Sequence, residues 1–267
     1  MLVGTIVTRA LGYRELLIHG EPLVYDRWRW LSARLPKTRG DERLIDIGFG
    51  TGALSIAAAK RGYRVTGISW DEPAQTKATR RAALCGVGAT CFFENLDVTG
   101  LDRKREIREA VDVVVCLECV EHIHDDAKLL RDIADMLVPG GRLLLTTPYL
   151  HSSAITASDD GPFDRCPGDH VRRGYTRAML AELMDQAGLV IDEVSYCSGL
   201  MSQKLTWLHR RLGILPLHLG WFVTLPLRPL AILIDRPVTA MMRWPHSSIC
   251  VEAYKRRWLE NVSEGRQ

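Results

Sequence analysis

Leu44-Ile45-Asp46-Ile47-Gly48-Phe49-Gly50-Thr51-Gly52, followed by the run 53–60, decides the fold of this 267-residue chain. A short apolar run carrying Asp46 breaks into glycines at every second position. Alanine-rich sequence comes next, with Leu54, Ile56, Ala57 and Ala58 at helical spacing. The pattern predicts a buried parallel strand, a tight turn and a helix start. Glycine at 48, 50 and 52 lets the turn take unusual dihedrals and approach a ligand closely. A plain strand–helix turn would share this outline. A dinucleotide site also uses glycines here, but spaced G-x-G-x-x-G beneath a pyrophosphate. The spacing in this chain is G-x-G-x-G behind an acid.

Outward from this turn, apolar runs at 64–69, 90–94, 111–117, 143–148 and 189–196 read as strands, and 73–85, 127–137 and 180–187 as helices. Thr176 is a candidate N-cap for the last of these. Pro139-Gly140-Gly141 reads as a helix stop and turn, and the charged run 102–109 as a solvated helix face. The alternation of strand and helix predicts an α/β fold with a mostly parallel sheet. Residues 24–35 read as an amphipathic helix that stops before Pro36, with Tyr25, Trp28, Leu31 and Leu35 packing on the core or forming a lid.

At this length one large α/β domain can bury a sizeable core. Net charge is +3, but ten Lys/Arg against four Asp/Glu lie from Met201 onward, so the last quarter carries +6 and the rest −3. Seven cysteines without regular spacing suit a reducing compartment better than a disulfide scaffold. Met1 and its neighbours lack the basic, apolar and small-residue order of a signal peptide. The expected location is therefore cytoplasmic, with the inner membrane face as a peripheral contact. Cys116 and Cys119 form a C-x-x-C, yet a zinc site needs a second ligand pair and a redox pair opens a helix in its own fold. Two buried thiols and no metal are expected.

Asp46 and the glycines resemble the first motif of class I S-adenosylmethionine (SAM) methyltransferases. Glu118-Cys119-Val120-Glu121-His122-Ile123, the turn Leu137-Val138-Pro139-Gly140-Gly141 and the strand Leu144-Leu145-Thr146-Thr147-Pro148 are similar, taken together, to one branch of that family. That branch holds the ubiquinone-pathway O-methyltransferases and related small-molecule enzymes, and the match spans roughly 41–198. The resemblance implies a Rossmann-like, seven-stranded, mostly parallel sheet with helices on both faces. Its last strand, 248–255, would run antiparallel between the fifth and sixth.

The resemblance also implies SAM as cofactor. Asp46 would lie near its cationic amino group, with Gly48, Phe49, Gly50 and Gly52 around it. The family usually ends the second strand with an acid that bonds both ribose hydroxyls. Here Ser69 stands in that place, with Asp71 beyond Trp70, and Asp71 is the first choice. Trp70 would lie against the adenine or shield the core. Asp97 would accept from the adenine amino group or merely cap the next turn. A hydroxyl acceptor must lose its proton as the methyl carbon is attacked, work for a group titrating near neutrality. His122 is the first candidate base and His170 the second, while Glu118 and Glu121 orient the base or meet the methionine end. The run Asp169-His170-Val171-Arg172-Arg173-Gly174-Tyr175-Thr176 reads as a functional loop above the strand ends.

Residues 201–212 form a basic amphipathic stretch and 214–234 an almost wholly apolar one. Pro216, Pro226, Pro229, His218 and Arg228 argue against a membrane span. A packed lid that admits a greasy or membrane-embedded substrate is the first expectation, and contact with an anionic lipid face flanked by Arg210, Arg211, Arg236 and Arg243 the second. The expected organisation is an N-terminal helical cap (1–40), a SAM-binding core (41–199), a basic and apolar insertion (200–246), and a final strand with a tail (247–267). The expected activity is methyl transfer to a small or lipid-linked acceptor, first at oxygen. Carbon or nitrogen acceptors, including lipid acyl chains, and a non-catalytic SAM-binding module are the alternatives. Nucleic acid is disfavoured, because the Asn-Pro-Pro-Tyr motif and an aromatic–basic patch are both missing.

Overall fold

A computed structural model describes residues 21–213 and 223–257; the expected segments 1–18 and 214–222 lie outside the described residues. Seven strands build one sheet: β1 Arg43–Ile47, β2 Arg64–Ser69, β3 Cys91–Asn95, β4 Val111–Leu117, β5 Leu137–Pro148, β6 Leu189–Cys197 and β7 Ser248–Lys255. Their order is β3-β2-β1-β4-β5-β7-β6. The pairs among β1 to β5 are parallel, and β7 runs antiparallel between β5 and β6, as the family resemblance implied.

Continuous apolar strands demand cover on both faces, and the helices supply it. α1 Pro22–Arg34, α2 Ala53–Ala59 and α3 Glu72–Leu84 contribute Trp28, Leu31, Ile56, Ala57 and Ala78 to one core, against Val113, Val115 and Leu144. On the other face α4 Asp126–Met136 and α5 Arg177–Gln186 bring Leu129, Ile133, Leu180 and Met184 against Ile45, Val114 and Leu145. The helix starts are capped as their residues allow. Asp125 Oδ1 accepts from Lys128 N at 2.8 Å, and Thr176 Oγ1 from Met179 N at 3.2 Å.

Two local expectations need correction. Pro139-Gly140-Gly141 does not separate helix from strand, because β5 already begins at Leu137. The turn survives as an irregularity inside the strand: Val111 pairs with Leu137 and Val113 with Arg142, so four residues bulge opposite one. The run 102–109 falls across two 3-10 helices, Val98–Arg103 and Arg105–Ile107, in place of one α-helical face.

The segment after β6 is a pair of helices, α6 Leu200–Gly213 and α7 Arg228–Met241, with a 3-10 turn at Leu225–Leu227 before α7. The Asp235 carboxylate of α7 accepts from the backbone N–H groups of Gly199 (2.9 Å), Met201 (2.8 Å) and Ser202 (3.1 Å). Thr239 Oγ1 accepts from Leu200 N at 2.8 Å. One helix thus satisfies the orphan donors at the start of the other. α7 also runs past the expected apolar stretch and through Pro237 to Met241. No helix among the described residues is long and apolar enough to cross a membrane.

Strand order reverses between β1 and β4, and β1 continues toward α2 while β4 continues toward α4. In open α/β sheets this reversal opens a crevice at the carboxyl ends of the strands, where ligands bind. The glycine turn and the Glu118–His122 run flank that point.

Candidate functional site

Gly48, Gly50 and Gly52 all adopt positive φ, at +73°, +51° and +75°. At Gly48 a Cβ would meet Cys119 Sγ at 2.9 Å, so β4's loop closes directly on the turn. At Gly50 the one neighbour to a Cβ among the described residues is Gly48 O at 3.9 Å. Among those residues the turn is therefore sealed at its base and open at its crest. Phe49 turns inward, with its ring 4.8 Å from that of Phe93, so only its backbone can line the crevice. Asp46 lies beneath the turn, 3% exposed, and accepts from the Ser55 hydroxyl of α2. Burial pushes its carboxyl up to about 7, against the lowering effect of that hydrogen bond.

At the ends of β2 and β3 the candidates sit side by side, since Ser69 pairs in register with Asn95. Ser69 is buried, and its hydroxyl accepts from Asp71 N at 3.3 Å. Asp71 and Asp97 are exposed, and each uses one carboxylate oxygen as a helix cap, toward Ala74 N (2.9 Å) and Thr99 N (2.9 Å). Trp70 is 58% exposed, which removes the core-shielding reading. A Cβ on Gly168 would lie 3.2 Å from the Trp70 indole, so the loop after β5 reaches across to the end of β2.

The end of β4 holds the remaining candidates. Glu118 takes φ +49°, a left-handed bend in a non-glycine residue. Its carboxylate accepts from Thr146 Oγ1 at 2.9 Å and pairs with Arg27 at 2.8 Å. Glu121 is fully buried; Oε2 accepts from Thr147 Oγ1 at 3.0 Å, and Oε1 has no partner among the described residues. Burial, then the nearby Glu118, holds the Glu121 carboxyl well above the usual range. The rings of His122 and His170 stand edge to face, with centroids 4.5 Å apart, and His122 Nδ1 is buried without a partner among the described residues. Burial first, then His122, lowers the pKa of His170. Glu121, His122 and His170 each present a ligand atom within 4.8 Å of the others, a grouping that could hold a metal ion although none was expected. Cys116 and Cys119 are buried thiols, and no disulfide or metal grouping involves them among the described residues.

The 161–175 loop is tied to this end of β4 by Val171 N donating to Glu121 O (2.9 Å) and by Arg172 donating to Ile123 O and His124 O (2.9 Å each). Arg172 and the Tyr175 hydroxyl also meet the Asp126 carboxylate. Two residues escaped sequence reasoning. Arg27 looked like one charge on an amphipathic helix, and only the docking of α1 over β4 brings it to Glu118. Tyr175 stood in a run already marked as functional, but nothing in its spacing signalled complete burial.

A methyltransferase-domain family matches residues 21–194 of the chain. The chain is 31% identical over 159 residues to a ubiquinone biosynthesis O-methyltransferase of Aeromonas salmonicida, covering 58% of this chain and 65% of that protein. A protein of the same name from Xanthomonas axonopodis pv. citri is 30% identical over 175 residues, covering 63% and 70%. The chain thus spans about half to two thirds of the length of most of these relatives. Among solved structures, the [4+2]-cyclase SpnF superposes with a TM-score of 0.59 at 21% identity, covering 87% of this chain and 81% of that one. Geranyl diphosphate C-methyltransferase from Streptomyces coelicolor gives 0.60 at 16%, covering 86% and 76%. At such identities the likeness is one of fold.

The buried Asp46 has a consequence for stability. Its folded pKa of about 7 lies above the unfolded 3.8, so between those values the folded state keeps a proton that the unfolded state releases. Its contribution to stability is complete below 3.8 and is lost as pH rises through about 7. Urea midpoints should therefore fall between acid and neutral pH by more in the native protein than in Asp46→Asn. Parallel midpoints in the two proteins would refute the assignment.

Proposed function

The chain belongs to the methyltransferase-domain family, and from that premise we propose that it moves a methyl group from S-adenosylmethionine to oxygen on a small or lipid-linked acceptor. One observation carries the reading: the open crest at Gly50 and the His122–His170 pair flank the same strand reversal. The acceptor oxygen attacks the methyl carbon, the carbon–sulfur bond breaks, S-adenosylhomocysteine leaves, and the hydroxyl proton passes to an imidazole. The cation's charge vanishes in this step, so positioning and exclusion of water are the protein's main work. Oxygen is favoured over carbon or nitrogen by the names of the relatives; a non-catalytic SAM-binding module is disfavoured by the paired histidines.

In this reading Gly48, Gly50 and Gly52 cup the methionine end, with Asp46 acting from below through the turn. Arg27 and Glu118 form a charge pair suited to a zwitterion, guanidinium for the carboxylate and carboxylate for the ammonium. Ser69 or Asp71 meets the ribose, Trp70 and Asp97 flank the adenine, and the loop tip at Gly168 closes over them. His122 is the base, with His170 its neutral neighbour. The grouping of Glu121 with the two histidines favours one second reading, in which a divalent cation held there acidifies the acceptor hydroxyl. The chain divides into a cap (1–40), the SAM-binding core (41–199), an insertion (200–246) and the final strand with its tail (247–267).

The insertion would place the enzyme at a membrane face. On α7, Leu230 (54% exposed), Leu233 (75%) and Met241 (76%) share one side with Pro237, and Arg236 and Arg243 are exposed beside them. That combination suits an anionic lipid surface.

Calorimetry with S-adenosylmethionine should show binding that Gly50→Val abolishes while the sheet stays folded; equal affinity in the variant would sink the placement. His122→Ala should lower methyl transfer to hydroxylated aromatic acceptors by about a hundredfold or more, as for a lost general base, with cofactor affinity unchanged. An undiminished rate removes His122, and loss of rate in a chelator restored by a divalent cation selects the second reading. Vesicles containing phosphatidylglycerol should float the native protein but not Leu230→Glu/Leu233→Glu; no flotation of the native protein at low salt rejects the membrane contact.

A further inference from the structure

A groove of about 260 Å³ lies between α1, α7 and the end of β6, away from the glycine turn. α1 presents Asp26, Arg29, Trp30 and Arg34 to it, positions three, four and eight residues along one helix face. α7 presents Ile232, Asp235 and Arg236 at the matching spacing. Tyr196 and His246 also line it, their rings stacked at 5.9 Å and 30°.

The charges in this groove are unevenly engaged among the described residues: Arg29 attracts the Asp26 carboxylate of its own helix, and Asp235 and Arg236 act in opposite senses on His246. The Asp235 carboxylate is engaged by three backbone N–H groups of the α6 start. Asp26 is held above its usual range, mainly by burial, while hydrogen bonds from Ser202 and Ser198 oppose the shift. Arg34 is paired at 2.5 Å with Glu193 and at 3.1 Å with Glu252. Arg29 and Arg236 are exposed, and among the described residues neither makes a salt bridge or a side-chain hydrogen bond. Two guanidinium forks, one from each helix, are therefore left facing a cavity that also carries an imidazole. Planar forks match tetrahedral oxyanions bidentately. The volume admits a phosphate or diphosphate group with ordered water, at about 30 Å³ per water.

We propose that the α1–α7 groove is a binding site for a phosphate or diphosphate group, gripped by Arg29 and Arg236 with His246 as a further donor. The site stands apart from the methyl-transfer reading and does not rest on it. The phosphate can belong to a soluble phosphorylated molecule or to an anionic lipid headgroup, because Ile232 and the apolar side of α7 adjoin the groove.

Inorganic pyrophosphate titrated calorimetrically at low ionic strength tests the first source, and flotation with phosphatidylglycerol-containing against pure phosphatidylcholine vesicles tests the second. Arg29→Gln/Arg236→Gln should weaken pyrophosphate binding by about tenfold or more, the scale of lost charge-assisted hydrogen bonds. Arg29→Lys/Arg236→Lys should recover part of it. Vesicle capture that pyrophosphate competes away in the native protein and that the Gln variant loses assigns the phosphate to lipid; capture lost without such competition is surface charge alone and overturns the site. No binding of either probe by the native protein, or equal binding by native and Gln variant, overturns the site. Both substitutions are on exposed side chains, and an unchanged melting temperature and S-adenosylmethionine affinity in the Gln variant separates this outcome from failure of the methyl-transfer reading.

Discussion

Between Gly48 and Cys119 there is no room for a side chain: a Cβ on the glycine would sit 2.9 Å from the cysteine sulfur. That single approach binds the turn after β1 to the loop after β4 and so sets the width of the crevice between them. Its consequences reach in both directions. Toward the core, Phe49 is drawn under the turn onto Phe93, and Asp46 is sealed against Ser55. Toward the surface, the same closure leaves Gly50 as the crest, with no described residue packed over it. Left-handed geometry at three alternate positions is costly for residues with a Cβ, roughly 1–2 kcal/mol each, so the glycines specify the turn as much as they permit it.

On the β4 side the site is built by burying polar groups that the sequence distributes over three segments: the turn after β4, β5 and the loop that follows it. Glu121 contributes a carboxyl with one oxygen unpartnered among the described residues, Thr147 of β5 steadies the other, and Val171 of the loop holds the Glu121 carbonyl. A buried ionised carboxylate would be expensive without a partner, which is why this carboxyl is driven toward its neutral form. His122 and His170 meet edge to face beside it, and burial lowers the pKa of His170. Such perturbed groups gather where chemistry is done.

Much of this was legible in the sequence, for physical reasons that differ by element. Strands β2 and β4 were readable to the residue because buried parallel strands are mainly apolar, β-branched runs set between polar or helical stretches. The place of β7 followed from the family resemblance, its alternation marking only a strand. The Pro139-Gly140-Gly141 segment misled because a bulge and a turn use the same residues, and only pairing with Val111 and Val113 tells them apart. Phe49 and Asp46 were rightly placed at the turn, but which way a side chain points from a left-handed bend is a matter of packing. Arg27 was hidden because its partner Glu118 lies far along the chain, and composition carries no trace of how α1 docks.

The insertion bears on the site through α1. Arg210 of α6 bonds Glu21 at the start of α1 through two nitrogens (2.9 Å each) and meets Asp159 of the loop after β5 at 3.3 Å. These side chains are about a third exposed, and ion pairs of that kind contribute only about 0–1 kcal/mol each. The firmer attachments are buried ones: Gln203 donating to Ser198 O and Pro245 O, and Asp235 and Thr239 receiving the α6 start. Rigid coupling therefore runs from α7 through α6 to the end of β6, while the contact with the loop after β5 is weak enough to open. The anchored helix pair thus bears on α1, which carries Arg27 to Glu118, through the same partly exposed Arg210 that meets the loop.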